Sequence, residues 1–306
     1  MKILLTGYTG FLGKNLSNVL KKKYKNITYL GRLNQHENFF NVEDEISTAK
    51  AFKDIDIVIH CAGKTHVMSN EISISHELFQ RSNVDLTEKL MNLSIKNRIK
   101  RFIFISSLKV NGEVSSLSKP FTCFDEPNPE DDYAKSKLLA EESIKKLSKN
   151  NAIETVIIRP PLIYGNGAKG NFRTLFNMVS RRIPLPFSNL KNKRSMVYIE
   201  NLIDLICVCI ENPKAAGQTF LASDDRDMST PEMIEHIGAS TGIRPIMFPI
   251  SKSLLSFFGK LVGKSSQVQK LTGTLQANIV HTKDTLDWHP PYSIDEAFKG
   301  TAKGKD

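Results

Sequence analysis

Short apolar runs recur along the first half of the chain, at KILLT (2–6), ITYLG (27–31), DIVIH (56–60), RFIFIS (101–106) and ETVIIR (154–159), with amphipathic stretches between most of them. Runs made almost entirely of Ile, Val, Leu and Phe predict strands covered on both faces. Their alternation with helical patterns predicts parallel crossovers. The expected fold class is therefore α/β, with a doubly wound parallel sheet. After PPLIYGNG (160–167) the pattern loosens into loops and short helices, which predicts a smaller second lobe. NLIDLICVCIEN (201–212) reads as a helix returning to the main domain. The expected division is thus 1–165 for the main domain, rejoined by 196–215, with 166–195 and 216–306 forming the lobe. No internal repeat, low-complexity tract or flexible linker interrupts this order.

A length of 306 residues suits one large domain with an appended lobe. MKILLTGYTG passes from an apolar run straight into glycines, so no signal peptide is expected and the cytoplasm is the expected compartment. SLLSFFGKLVG (253–263) is far shorter than the roughly 20 residues a membrane span needs. It is expected to be a lobe helix or, as the lesser alternative, a membrane-surface helix. Cys61, Cys123, Cys207 and Cys209 form no CxxC pair and have no His-rich surroundings, so neither a disulfide framework nor a metal site is indicated. Cys207 and Cys209 are expected to be buried thiols. A net charge of +10 suits a polyanionic partner: nucleic acid, acidic lipid, or a dinucleotide with a nucleotide-linked substrate. Part of the excess lies in KKKYK (21–25), at the end of the first helix, where lysines complement the helix dipole without any ligand.

TGYTGFLGKNL (6–16) sets Gly7, Gly10 and Gly13 directly after the first strand and at the start of a helix, with Tyr8, Thr9, Phe11 and Leu12 between them. The first glycine permits a tight turn, the second a close approach of backbone N–H groups to a pyrophosphate, the third close packing of helix on strand. That context makes dinucleotide binding the expected role. Where NAD-preferring folds offer an acid to the ribose hydroxyls, this chain offers Arg32, whose guanidinium suits a 2′-phosphate. NADP(H) is therefore the favoured expectation, with NAD(H) as the alternative. Asn41 and Val42 stand where contacts to adenine are expected.

DDYAKSKLLAEE (131–142) places Tyr133 and Lys137 at i, i+4 on one helix face. With the glycine turn, SSLKVNG (106–112), this YxxxK and RPPLIYGNG (159–167), the chain resembles the extended short-chain dehydrogenase/reductases in their nucleotide-sugar epimerase/dehydratase branch. HCAG (60–63) matches the turn beside the cofactor, which implies roles for Cys61, Ala62 and Gly63. Asn83 matches the asparagine after the following helix, and Pro160 the entry into the substrate lobe. HCAGKTHVM, GNF and KNKRSMVYIENL resemble bacterial surface-polysaccharide proteins, either UDP-glucose 4-epimerase-like or UDP-N-acetylquinovosamine dehydrogenases acting as 4-keto reductases.

The resemblance implies a Rossmann domain and proton transfer at a sugar oxygen coupled to hydride transfer at a nicotinamide. A free phenol titrates at about 10, and a nearby ammonium lowers that value. Lys137 is expected to do this for Tyr133 while also bonding the nicotinamide ribose. Ser107 is expected to bond the same substrate oxygen, and Ser106 to face elsewhere. Where the branch's dehydratases carry an Asp and a Glu after the hydroxyl residue, this chain has Leu108 and Lys109, so dehydration is not expected. Asn111 replaces the usual tyrosine of VYG. Asn171 and Arg194 match residues at the diphosphate of a UDP-sugar, Lys270 stands where a second arginine is expected, and Lys109 is a further candidate for the sugar or a phosphate. His60 and His66 are expected to be structural. The leading expectation is an NADPH-dependent reductase of a UDP-4-keto-6-deoxy-N-acetylhexosamine, with a UDP-hexose 4-epimerase as the alternative. A dinucleotide sensor or nucleic-acid-binding regulator is the remote one, disfavoured by the intact Ser, Tyr and Lys set. A homodimer joined through the helices around Tyr133 and after Asn70 is implied by analogy alone.

Overall fold

A computed structural model describes residues 1–65, 72–251, 254, 268 and 271–303. Five strands fall on the apolar runs: β1 (Lys2–Thr6), β2 (Asn26–Gly31), β4 (Ile57–His60), β5 (Arg101–Ile105) and β6 (Glu154–Arg159). Two more, β3 (Phe39–Asn41) and β9 (Thr219–Leu221), are three residues long, too short for the sequence pattern to register. All seven form one parallel sheet in the order β3-β2-β1-β4-β5-β6-β9. This is the doubly wound α/β sheet that the alternation predicts.

Both faces of the sheet are covered. Ile3, Leu5, Ile57, Ile59, Ile103 and Ile105 point to one apolar cluster. Their neighbours Leu4, Val58, Phe102 and Phe104 point to the other, as the two-residue period of a strand requires. Helices α1 (Phe11–Lys23) and α7 (Ile199–Glu211) cover the first face, and α4 (Leu86–Lys96) and α5 (Asp132–Ser148) the second. Each Leu or Ile so buried contributes about 1.5–3 kcal/mol. The returning helix forms as predicted, and Arg101 docks it: its guanidinium donates to the carbonyls of Cys209 (2.6 Å), Ile210 (3.1 Å) and Asn212 (2.9 Å) and pairs with Glu154. A cation at those last carbonyls also answers the helix dipole. Cys207 and Cys209 are buried free thiols.

Helix α3 (Ile72–Phe79) runs into α4 through a wider π turn over Gln80–Asp85 that contains Asn83. A second parallel pair, β7 (Leu162–Tyr164) with β8 (Met196–Tyr198), leads into the lobe. There α6 (Asn171–Ser180), α8 (Thr230–Thr241) and α10 (Ile294–Lys303) pack around Tyr164, Phe172 and Phe298, whose rings lie 5.1–6.3 Å apart, while α9 (Val280–Leu286) packs on β9. A Ser229–Glu232 capping box starts α8, and Gly242 at φ 68° ends it. His66, Asn70, Lys270 and, apart from Leu254, the segment 253–263 lie outside the described residues. No described helix is long and apolar enough to cross a membrane.

Candidate active site

The strand order reverses between β1 and β4, and a cavity of about 560 Å³ opens at their carboxyl ends. Doubly wound sheets bind ligands in this crevice. Gly7 takes φ +70°, and a Cβ there would come within 2.5 Å of the Ala62 amide nitrogen. Gly10 caps α1 without a side-chain hydrogen bond, and no acid stands in the first turn. The leading N–H groups of α1 are therefore open to an anion, which the helix dipole favours. These features fit the pyrophosphate of a dinucleotide.

Gly7, Tyr8, Thr9 and Gly10 line this cavity from the first turn, and Cys61, Ala62 and Gly63 from the turn after β4. Arg32 and Val42 line its far end. Other expected residues stand behind the wall. Leu12 is core, Phe11 packs near Gly167, and a Cβ on Gly13 would run into the Gly7 carbonyl. Asn41 accepts from the Glu43 amide through Oδ1 (3.0 Å) and is not among the residues lining the cavity. Pro160 is buried, its carbonyl accepting from Leu108. Asn83 clamps the Lys64 backbone from both sides (2.8 and 3.0 Å) and donates to Ser136 on α5 (2.9 Å), so it shapes the cavity without opening onto it. Lys64, within HCAGKTHVM, and Arg81 also line the cavity; neither was given a role from the sequence.

His60 is structural, as expected. Thr87 donates to the Asn83 carbonyl (2.6 Å) and so accepts from His60 Nε2; Ala62 N–H donates to Thr6, whose hydroxyl donates to His60 Nδ1 (2.6 Å). Complete burial pulls this imidazole down to about 3, so it is neutral.

Tyr133 lies in the first turn of α5, whose N-cap is Asp131, accepting from Ala134 N–H at 2.7 Å. The Ser107 side chain shares the wall of one cavity with the phenol and favours its ionised form. One turn on, Lys137 is buried; its Nζ donates to the Ile105 carbonyl (2.8 Å) and lies 4.5 Å from the centre of the Phe104 ring. A Cβ on Gly63 would lie 3.2 Å from that Nζ, so the ammonium sits directly behind Gly63, which lines the first cavity. One expectation is corrected here. Burial pushes the Tyr133 phenol up to about 12, Asp131 adding to this and Ser107 opposing it. Lys137 is itself pulled down by burial to about 8, against Cys61 and Glu141. Desolvation of both groups outweighs the attraction anticipated from their spacing.

A second cavity, of about 450 Å³, has Ser107 and Tyr133 in its wall. Asn171, Arg194 and Lys109 line it as the sequence suggested. Gly170, at φ +72°, begins α6 without a side-chain cap, and Lys169 stands beside it. Arg194 donates to the Gly273 carbonyl at 3.1 Å; burial lowers its pKa and Glu113 opposes that. Glu113 and Asp131 were not anticipated. Both line the cavity and both pair with Lys109. Carboxylates are thus present, although not at positions 108 and 109.

Behind the cavities, the fully buried Arg159 binds Glu141 through two nitrogens (2.9 and 2.6 Å) and donates to Asn111 Oδ1 (3.0 Å). Asn111 donates in turn to the Thr122 carbonyl (2.8 Å). The residue that departs from VYG is therefore a structural acceptor for a buried guanidinium. Ser106 donates to Glu141 and faces away from Tyr133's cavity, as expected.

Two adjoining cavities, one built for a dinucleotide and one bordered by a hydroxyl and a phenol, make this an enzyme of the extended short-chain dehydrogenase/reductase type. The chain belongs to the NAD dependent epimerase/dehydratase family, whose model matches residues 3–222. It is 43% identical to a UDP-glucose 4-epimerase of Vibrio cholerae over 98% of this chain and 94% of that one. It is 25% identical to an N-acetyl-alpha-D-glucosaminyl-diphospho-ditrans,octacis-undecaprenol 4-epimerase of Escherichia coli O157:H7 over 98% and 93% of the two chains. A crystal structure of UDP-glucuronic acid 4-epimerase from Bacillus cereus in complex with NAD shares the fold, with a TM-score of 0.78, 20% identity and coverage of 99% and 98%.

Proposed function

We propose that this chain is a UDP-hexose 4-epimerase that uses NAD(H), oxidising C4 of the sugar and then reducing it from the other face. The observation that carries the proposal is the placement of one helix turn: Tyr133, with Ser107, lines the second cavity, and Lys137 packs behind Gly63 in the wall of the first. The 43% identity to a UDP-glucose 4-epimerase across both chains supports epimerisation over net reduction.

Gly7, Gly10 and the first turn of α1 would hold the pyrophosphate of the dinucleotide, and Arg32 and Val42 its adenosine end. Held there, the dinucleotide would supply the hydride acceptor and donor for the chemistry at C4. Tyr133 first loses its own proton to solvent beside the Lys137 ammonium; as the phenolate it takes the C4 hydroxyl proton in the oxidative half and gives it back in the reductive half. Ser107 donates to the same oxygen, holding it against the phenol. Lys137 supplies positive charge beside the phenolate and a donor for the nicotinamide ribose. The diphosphate lies at the N-terminus of α6, with Asn171, Lys169 and Arg194 around it. The lobe that holds the sugar nucleotide is 166–195 together with 216–306 apart from β9, and the assembly is a homodimer.

A reductase of a UDP-4-keto-6-deoxy-N-acetylhexosamine is the second reading, supported by Arg32 at the adenosine end and by a resting phenol that is protonated and able to donate. Incubation with UDP-glucose, UDP-N-acetylglucosamine and a 4-keto-6-deoxy derivative, with either reduced cofactor, separates the two. Inversion at C4 without net cofactor loss is the expected result. Stoichiometric loss of NADPH with the keto sugar alone overturns it in favour of reduction. Tyr133→Phe is expected to abolish turnover while leaving the dinucleotide Kd nearly unchanged; appreciable residual turnover removes Tyr133 from proton transfer.

A further inference from the structure

We propose that Lys109, Glu113 and Asp131 make the catalytic end of the second cavity select hexoses without a ring carboxylate, so that hexuronic acids are excluded. The inference rests on the reading that a UDP-hexose fills this cavity.

All three side chains are tied to the reacting pair by the backbone. Lys109 follows Ser107 by two residues, and its N–H donates to the Ser107 hydroxyl at 3.3 Å. Asp131 precedes Tyr133 by two and caps its helix. Glu113 closes the turn that begins at Ser107 and lies one helical spacing from Lys109. The single ammonium is held between the two carboxylates and is partly shielded, at 26% exposure. Its charge is therefore already answered, and the trio carries an excess of one negative charge. Pairing with the ammonium holds Asp131 below the usual carboxylate range, and the two carboxylates hold Lys109 above its own, so the arrangement persists through neutral pH.

A hexose oxygen O4 placed between Ser107 and Tyr133 has C6 as a close neighbour, joined to C4 through C5. A hydroxyl or methyl at C6 meets the trio without a charge conflict, and a hydroxyl can bond to it. A carboxylate at C6 meets two carboxylates and an ammonium that must leave one of them, a like-charge contact of the kind that rejects wrong partners. Arg194 is the further cation within electrostatic reach of Glu113. In the proposed mode it faces the diphosphate, whose charge it answers, and cannot also receive a uronate.

The test is calorimetric titration of NAD-loaded protein with UDP-glucose and UDP-glucuronic acid, repeated on Glu113→Gln and Glu113→Lys, with kcat/KM for both sugars. UDP-glucuronic acid is expected to bind at least about tenfold more weakly than UDP-glucose to the wild type, as a desolvated like-charge contact predicts. Glu113→Gln is expected to narrow the ratio of Kd values about threefold or more, and Glu113→Lys to narrow it further. A wild-type ratio near one, or a ratio unmoved by both substitutions, overturns the inference. If the ratio behaves as expected but neither sugar is inverted at C4, charge selection stands and the epimerase reading falls.

Discussion

Lys137 offers a test of the site's electrostatics that needs no substrate. Its ammonium is buried, with one carbonyl and one aromatic ring as its neighbours, and burial brings its pKa from the usual 10.5 to about 8. The folded chain therefore releases this proton before the unfolded chain does. Between pH 8 and 10.5 the unfolded state binds more protons than the native one, so stability rises with pH in that window; it is lost again as pH falls through 8. The full shift corresponds to about 3 kcal/mol, and the part realised between pH 7 and 9.5 to about 2 kcal/mol. Lys137→Met removes the titrating group and keeps a long unbranched side chain. At pH 7 the variant should be no less stable than the wild type, because relief of the buried charge, about 3 kcal/mol, offsets an unpaired Ile105 carbonyl, about 1–3 kcal/mol. Turnover should be lost. The assay is urea unfolding of both proteins, free of cofactor, at pH 7, 8, 9 and 9.5. Subtracting the two curves cancels the thiols and phenols that titrate in the same range. The wild type should gain about 2 kcal/mol on the variant across the series. Parallel stability curves would show that Lys137 is not held in a charge-hostile environment and would refute the account of the site given above.

Arg32→Asp should weaken NADPH binding relative to NADH, read as the ratio of the two Kd values; an unchanged ratio means that Arg32 does not read a 2′-phosphate. Gly7→Ala forces a side chain into a left-handed conformation and against the Ala62 amide. It should lower Tm and abolish dinucleotide binding by titration, and retained binding would place the pyrophosphate elsewhere. Arg159→Met leaves Glu141 charged in a fully buried site. It should destabilise by about 3–5 kcal/mol in urea unfolding, whereas adding Glu141→Leu should recover most of that; equal losses in the single and double variants would mean that the pair is not the source.

The sheet was legible because its five central strands are buried on both faces and show it as unbroken apolar runs. Ile103 and Phe104 face opposite clusters, yet each had to be apolar, and the run RFIFIS records both demands. The strands that escaped are three residues long and owe their existence to a neighbour: β9 pairs only with β6, β3 only with β2. Nothing local distinguishes such a segment from a loop. The glycines of the first turn were legible for a similar reason, since they answer steric demands from strands close by in the chain.

The sugar end of the site was harder to read, because its chemistry depends on distance in space. Glu113 and Asp131 stand 18 positions apart, the first in a turn after the Ser107 segment and the second in the cap of α5. Only the fold brings both onto one ammonium. Reasoning from the family pattern looked for carboxylates at two motif positions, found Leu108 and Lys109, and so expected no dehydration; it had no means of seeing acids supplied from elsewhere. The lysine at the second of those positions is what gathers the two acids from elsewhere. The Tyr133 phenol shows the same limit: spacing on a helix reports its cationic neighbour, whereas desolvation, opposed by Ser107 and reinforced by Asp131, sets its proton affinity. An i, i+4 motif thus locates the proton-transfer pair, and the residues packed around that pair decide the pH at which it works.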